Sequence, residues 1–129
     1  MRRTVWAVLV CALAVPAALP AQEVQVARGI EAAAARNPGT ALAYFESALQ
    51  ADSTNYEANW RASDALMDLG KQTPDDRKSA ARDSLYARAE RYARRAVAAN
   101  PDGADGHFVL AAAIGRASLT KGKKERVQR

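Results

Sequence analysis

Cysteine and histidine each occur once in the 129 residues, at Cys11 and His107. One thiol excludes a disulfide framework within the chain and any multi-thiolate metal site, and one imidazole excludes the usual zinc and di-iron constellations. Only 6% of the residues are aromatic, and Val, Ile and Thr are scarce beside alanine. That balance disfavours sheet and favours closely packed helices, so an all-α chain is expected. Acidic residues are outnumbered, 14 against 19 basic ones, which gives a formal charge of +5. With 49% apolar residues the composition is globular, and the length suits about one domain.

Long apolar runs are also rare. The clearest, Val5 to Val15, follows Arg2 and Arg3 and gives way to Pro16, Pro20 and Ala21. A charged start, a run of about 7 to 15 apolar residues and a small residue at the cut describe a secretory signal peptide, here 1–21 with cleavage after Ala21. The run is shorter than the roughly 20 residues that cross a bilayer, so no stable membrane span is expected after cleavage. Cys11 lies inside the run behind the bulky Val10, which argues against lipidation. The mature chain is therefore expected to be secreted or periplasmic and free of cysteine.

The remainder reads as helices separated by turn residues, a helical domain over 22–119 followed by a basic tail, or the start of a truncated helix, over 120–129. A first helix, about 23–36, carries Val26, Ile30 and Ala34 on one stripe and stops before Asn37-Pro38-Gly39. A second, about 41–51, starts behind Thr40 as a cap and presents Leu42, Phe45 and Leu49. The third, about 56–69, presents Ala62, Leu66 and Leu69, with Trp60 and Met67 beside them. Gly70 is expected as its left-handed terminus. Thr73-Pro74-Asp75-Asp76 has the cap, proline and acidic residues of a helix start, so the fourth helix is expected from there to Ala99, with the polar stretch Arg77 to Ser84 as an extension or a kink before the amphipathic part, which is buried through Leu85, Ala89, Tyr92 and Ala96. Asn100-Pro101-Asp102-Gly103 separates it from a fifth, about 104–119, with His107, Leu110 or Ala111, and Ile114 at helical spacing.

Ala41, Phe45, Ala48, Leu49 and Asp52 correspond at an offset of 48 residues to Ala89, Ala93, Ala96, Val97 and Asn100, and each set leads through a short turn into another helix. This pattern resembles the tetratricopeptide repeat family, whose unit is a helical hairpin of about 34 residues, here enlarged around Lys71 to Ser84. The resemblance implies antiparallel hairpins stacked as a short α-α superhelix, incomplete at its C-terminal end. It makes Gly29, Ser63 and Ala111 the small residues of the first helices, and Ala41, Ala48, Ala89 and Ala96 those of the second helices. Phe45, Leu66, Leu110 and Ile114 join them as packing residues. Pro101 matches the proline between units, and Ser53 stands at the same place one unit earlier. Asn59 and His107 depart from the pattern, since the family usually has an aromatic there.

Stacking makes physical sense, because each hairpin has an apolar face that the next one covers. The fifth helix has no such cover in the sequence, for Val127 is the only large apolar residue after Leu119. The chain is then a fragment of a longer one, which is the favoured reading, or its fifth helix closes the stack, or another molecule, including a second copy, covers it.

No catalytic, cofactor-binding or metal-binding set emerges. His107 has no matched Ser or Cys nucleophile and reads as a half-buried packing residue. Asp75 with Asp76 reads as capping, and Asp64 with Asp68 as a helix surface with no third oxygen ligand to complete a calcium loop. Charge is polarised, from −4 over residues 22–70 to +5 over 116–129. The basic tail, with Lys121, Lys123, Lys124, Arg126 and Arg129, has no aromatic to stack a base, so nucleic acid is not an expected partner. The repeat resemblance implies a concave groove lined by Trp60, Asp64, Met67 and Asp68 from one unit and Phe108, Ala112 and Arg116 from the next; for Trp60 a place in the core is the alternative, and the favoured one. A protein or peptide partner would lie there. The expected activity is that of a non-catalytic binding scaffold of the bacterial envelope, or of a structural segment of a longer repeat protein.

Overall fold

The computed structural model describes residues 19–73 and 79–120. They form helices α1 (Ala21–Ala34), α2 (Pro38–Ala51), α3 (Tyr56–Gln72), α4 (Ala80–Ala99) and α5 (Ala104–Thr120), with no strand among the described residues. Each helix packs on its neighbours in sequence, α1 also touches α3, and α3 also touches α5. The architecture is therefore an all-α stack of antiparallel hairpins layered in chain order, with α3 covered on both sides. The expected signal peptide and the basic tail fall outside the described residues, save Leu19 to Ala21 and Thr120.

Alanine and glycine set how closely these helices approach. Ala41, Ala48, Ala58, Ala62, Ala89, Ala93, Ala96 and Ala113 are fully buried, with Phe45 and Leu66 as the largest apolar side chains among them. Three glycine sites carry aromatic rings. A Cβ built on Gly29 of α1 would lie 2.3 Å from the Phe45 ring of α2, and one on Gly70 of α3 would lie 2.3 Å from the Tyr86 ring of α4. A Cβ on Gly103 would lie 2.3 Å from the Tyr56 hydroxyl, and one on Gly106 would lie 3.1 Å from the same ring. Gly70 is thus no left-handed terminus. It is helical and buried, and α3 runs on to Gln72 with Thr73 as its C-cap.

The internal repeat is visible in the bonds of the two inter-hairpin turns. Asp52 Oδ1 accepts from the Thr54 amide at 2.9 Å, and Asn100 Oδ1 accepts from the Asp102 amide at 3.3 Å, 48 residues on. Asn59 Nδ2 donates to the Ser53 carbonyl at 3.0 Å, and at the matching place His107 Nε2 meets the Pro101 carbonyl at 2.6 Å. Asn59 and His107 stand where an aromatic was expected because each ties its helix to the preceding turn. His107 is exposed rather than half-buried, since this bond holds the ring over the turn and not in the core.

Helix starts differ from the sequence expectation in instructive ways. Asn37, not Thr40, caps α2, its side chain accepting from the Thr40 amide at 3.2 Å, with Pro38 in the first turn. Ser79 caps α4 through the Arg82 amide at 3.2 Å, so α4 begins at Ala80 and not at Thr73-Pro74; Asp75 and Asp76 lie outside the described residues. Asn55 caps α3 through the Ala58 amide at 2.9 Å. At the equivalent place in α5, the Gly106 amide donates instead to the Tyr56 hydroxyl of α3, also at 2.9 Å. The earlier hairpin thereby supplies part of the later helix's cap.

The buried stripes also shift. In α1 Val26 and Gly29 are buried, Ile30 is half-buried and Ala34 is exposed. In α3 Leu69 is half-buried. In α4 the stripe is Arg82, Tyr86, Ala89, Glu90, Ala93 and Ala96, with Leu85 and Tyr92 half-buried at its edge. In α5 it is Gly106, Val109, Ala113 and Ala117, while Leu110 and Ile114 are half-buried and Ala111 is exposed. The face that buries Gly29 and Ser63 in α1 and α3 has no covering helix beside α5 among the described residues. A polar bridge registers one hairpin on the other: Glu46 of α2 accepts from Arg88 at 2.5 Å and from the Tyr92 hydroxyl at 2.9 Å, both on α4.

Gly29→Ala would force the buried Phe45 ring to move, and overpacking of this kind outweighs the better helix propensity of alanine. A net loss of about 1–2 kcal/mol in unfolding free energy is expected by denaturant titration. Tyr56→Phe keeps the ring but leaves the Gly106 amide without its acceptor. It should cost about 1 kcal/mol by the same measurement.

Candidate binding groove

The α1–α2 turn and the exposed side of α3 enclose a groove of about 530 Å³, lined by Ala33, Ala34, Arg36, Pro38, Phe45, Arg61, Asp64, Ala65, Asp68, Lys71 and Gln72. Its shape follows from local backbone chemistry. Helix α1 ends with the Arg36 amide bonded to the Ala33 carbonyl and the Asn37 amide to the Ala32 carbonyl, both at 3.0 Å. This terminus puts Arg36 at φ 57°, a left-handed conformation that is unfavourable for any residue with a Cβ. The chain then turns directly into Pro38, and Arg36 is left on the groove wall.

The α3 side is a ladder of charge. Arg61 bonds Glu57 at 2.9 Å and lies 4.3 Å from the centre of the neighbouring Trp60 ring. Lys71 bonds Asp68 at 2.6 Å. Asp64 sits between these pairs with no ion pair among the described residues. Desolvation by the surrounding protein raises its carboxyl pKa above the ordinary aspartate value, and Asp68 adds to that rise. Lys71, Arg61 and Arg116 pull it back. A carboxylate held this way gains from any cation or hydrogen-bond donor brought into the groove.

A second recess of about 380 Å³ adjoins along the helices and shares Lys71. It is bounded by Gly70, Thr73, Arg82, Tyr86, Arg116, Leu119 and Thr120. The first helices of successive hairpins, α1, α3 and α5, thus carry one run of recesses, as a stack of this kind requires.

Of the expected groove residues, Asp64 and Asp68 line the groove and Arg116 borders the adjoining recess. Met67 does not: it is 2% exposed and belongs to the core, because α3 is packed by neighbouring helices on both sides. Trp60 is half-buried, packed against the core, and outside the groove lining. Phe108 is exposed on α5, away from both recesses, and Ala112 is half-buried. Arg36, Arg61, Lys71 and Gln72 are the polar groove residues that sequence reasoning missed. Lys71 falls at i+7 from Asp64 on one helix face, a signal hidden once Gly70 is read as a helix end.

Among the described residues no group of three or more His, Cys, Asp or Glu side chains could hold a metal ion, and no helix is long and apolar enough to cross a membrane.

Because folding raises the Asp64 pKa, the ionised carboxylate opposes the folded state. The stability contributed by this one group is fully present below the unfolded aspartate value and is lost as pH rises through the folded one. Asp64→Asn should remove this part of the acid-range decline and leave the chain at least as stable as the parent at neutral pH. Thermal melts across a pH series would check it.

Comparison with known proteins matches no curated protein and no solved structure. A family model does match residues 25–129, which is all of the chain except its first 24 residues, and its description is Regulator of microtubule dynamics protein 1-3. The chain belongs to that family.

Proposed function

We propose that this chain is a non-catalytic binding scaffold that presents the groove along α1, α3 and α5 to another polypeptide. The observation that carries the reading is Asp64, a solvent-exposed carboxylate without an ion pair among the described residues, set in a groove of about 530 Å³ between two satisfied charge pairs. Such a site selects an extended segment bearing a lysine, an arginine or a free amine. The matching turn bonds at an offset of 48 residues support tetratricopeptide-type units. The charged and apolar start of the sequence supports a secreted or periplasmic location in a bacterial envelope.

The matched family favours a second reading, in which the same binding activity serves the regulation of microtubule dynamics that its description names. Co-sedimentation with polymerised tubulin separates the two, since the envelope scaffold has no reason to pellet with it.

A panel of labelled synthetic peptides, differing only in lysine, norleucine or glutamate at one central position, tests the groove by fluorescence anisotropy. Lysine peptides should bind most tightly, and Asp64→Ala should weaken them about tenfold while leaving norleucine peptides nearly unchanged. Equal binding of all three, or indifference to Asp64→Ala, would overturn the assignment.

A further inference from the structure

The face of α5 turned away from α3 and α4 carries Phe108, Ala111, Gly115 and Leu119 at helical spacing. Phe108 is 71% exposed and Leu119 is 75% exposed, and the one other exposed large apolar residue among those described is Leu19. Gly115 is the second unusual feature. Gly29, Gly70, Gly103 and Gly106 each lie against an aromatic ring and Gly39, in the first turn of α2, near the Asn37 cap, whereas a Cβ on Gly115 in the body of α5 would meet nothing within 4 Å. A glycine inside a helix weakens it relative to alanine, and the fold itself gives no reason for this one. Close approach by a backbone from outside the described structure supplies a reason.

The pattern also names the occupant. Along the helix the face reads large, small, small, large, and it reads the same from the other end. Two copies of α5 laid antiparallel about a two-fold axis bring Ala111 opposite Gly115 of the second copy, and Phe108 within about one residue of its Leu119. Small residues then meet at the crossing and large ones close both ends. A surface that is its own complement is what a two-fold pair requires. Charge agrees with this direction: Asp105 and Arg116 lie on one flank of the face at opposite ends of the helix, so the two-fold places each carboxylate on the same rim as the guanidinium of the second copy. We propose that this chain self-associates through an antiparallel α5 pair, with Phe108 and Leu119 as anchors and Ala111 and Gly115 as the point of closest approach. The 530 Å³ groove between α1 and α3 stays open in such a pair, which covers only the α5 end of the adjoining recess, at Leu119 and Arg116.

Sedimentation equilibrium of the purified chain over a wide concentration range tests this, with circular dichroism melts to follow folding. The parent should show a monomer–dimer equilibrium. Gly115→Lys, which enters open space in the monomer, should raise the dissociation constant about 30-fold or more, the loss typical of a disrupted interface anchor, with a cooperative melt retained. Phe108→Asp, at a residue the monomer leaves exposed, should do the same and serves if the first variant folds poorly. In a Cys11→Ser background, mixing Ala111→Cys chains with Gly115→Cys chains should give disulfide-linked dimers faster than either variant alone. A parent that is monomeric throughout, a dimer indifferent to both substitutions, or cross-linking fastest within a single variant would overturn the proposal.

Discussion

An aromatic ring seated on a glycine is the contact on which this small stack depends. With so few aromatics and so much alanine, no single layer has enough apolar volume to fix its neighbours by bulk, so position must come from shape. Phe45 on Gly29 locks the first hairpin and Tyr86 on Gly70 locks the second. Tyr56 on Gly103 and Gly106 joins the second hairpin to α5. Each glycine removes the one carbon that would hold the facing helix away, and each ring fills the space so gained. Crossing distance and helix register are then set together, because the ring fits only where the Cβ is missing. Tyr56 does more than fill, since its hydroxyl accepts the Gly106 amide and closes the cap of the next helix.

The same dependence explains which parts of the fold were legible in the sequence. Helix number, order and class followed from alanine content and from the turns at Asn37-Pro38-Gly39, Asp52 to Asn55 and Asn100 to Gly103, all of which separate helices in the structure. The ends at Gly70 and at Thr73-Pro74 were misplaced, for a physical reason. A glycine near the end of a periodic stretch has two meanings, a left-handed terminus or a seat for a ring, and one sequence read along its length does not show Tyr86 arriving from α4. Asn59 and His107 depart from the repeat family's usual aromatic. They proved to be equivalent to one another, since both bond the backbone carbonyl six residues earlier.

The groove was legible only in part. Asp64 and Asp68 share a helix face by spacing alone, and that much needs no structure. Arg36 reaches the groove through a backbone conformation that favours glycine, so nothing in residue type announces it. Met67 was placed in the groove because helical spacing fixes an angle around α3 but not how far the adjacent helices wrap it. With α2 on one side and α4 on the other, α3 buries a wider arc than a helix at the end of the stack. The α5 stripe shows the converse, for the positions that match buried residues of α3 lie open at Ala111.

Layering in chain order has a kinetic meaning as well. Most contacts join helices that are adjacent in sequence, so little loop entropy has to be overcome before they form, and chains of this kind fold quickly. Each hairpin can assemble on its own short loop. The link between Glu46 and its partners Arg88 and Tyr92 spans 42 and 46 residues, and it can close only once both hairpins exist. It acts as a latch drawn last, across a seam that the packing of α2 on α3 has already joined.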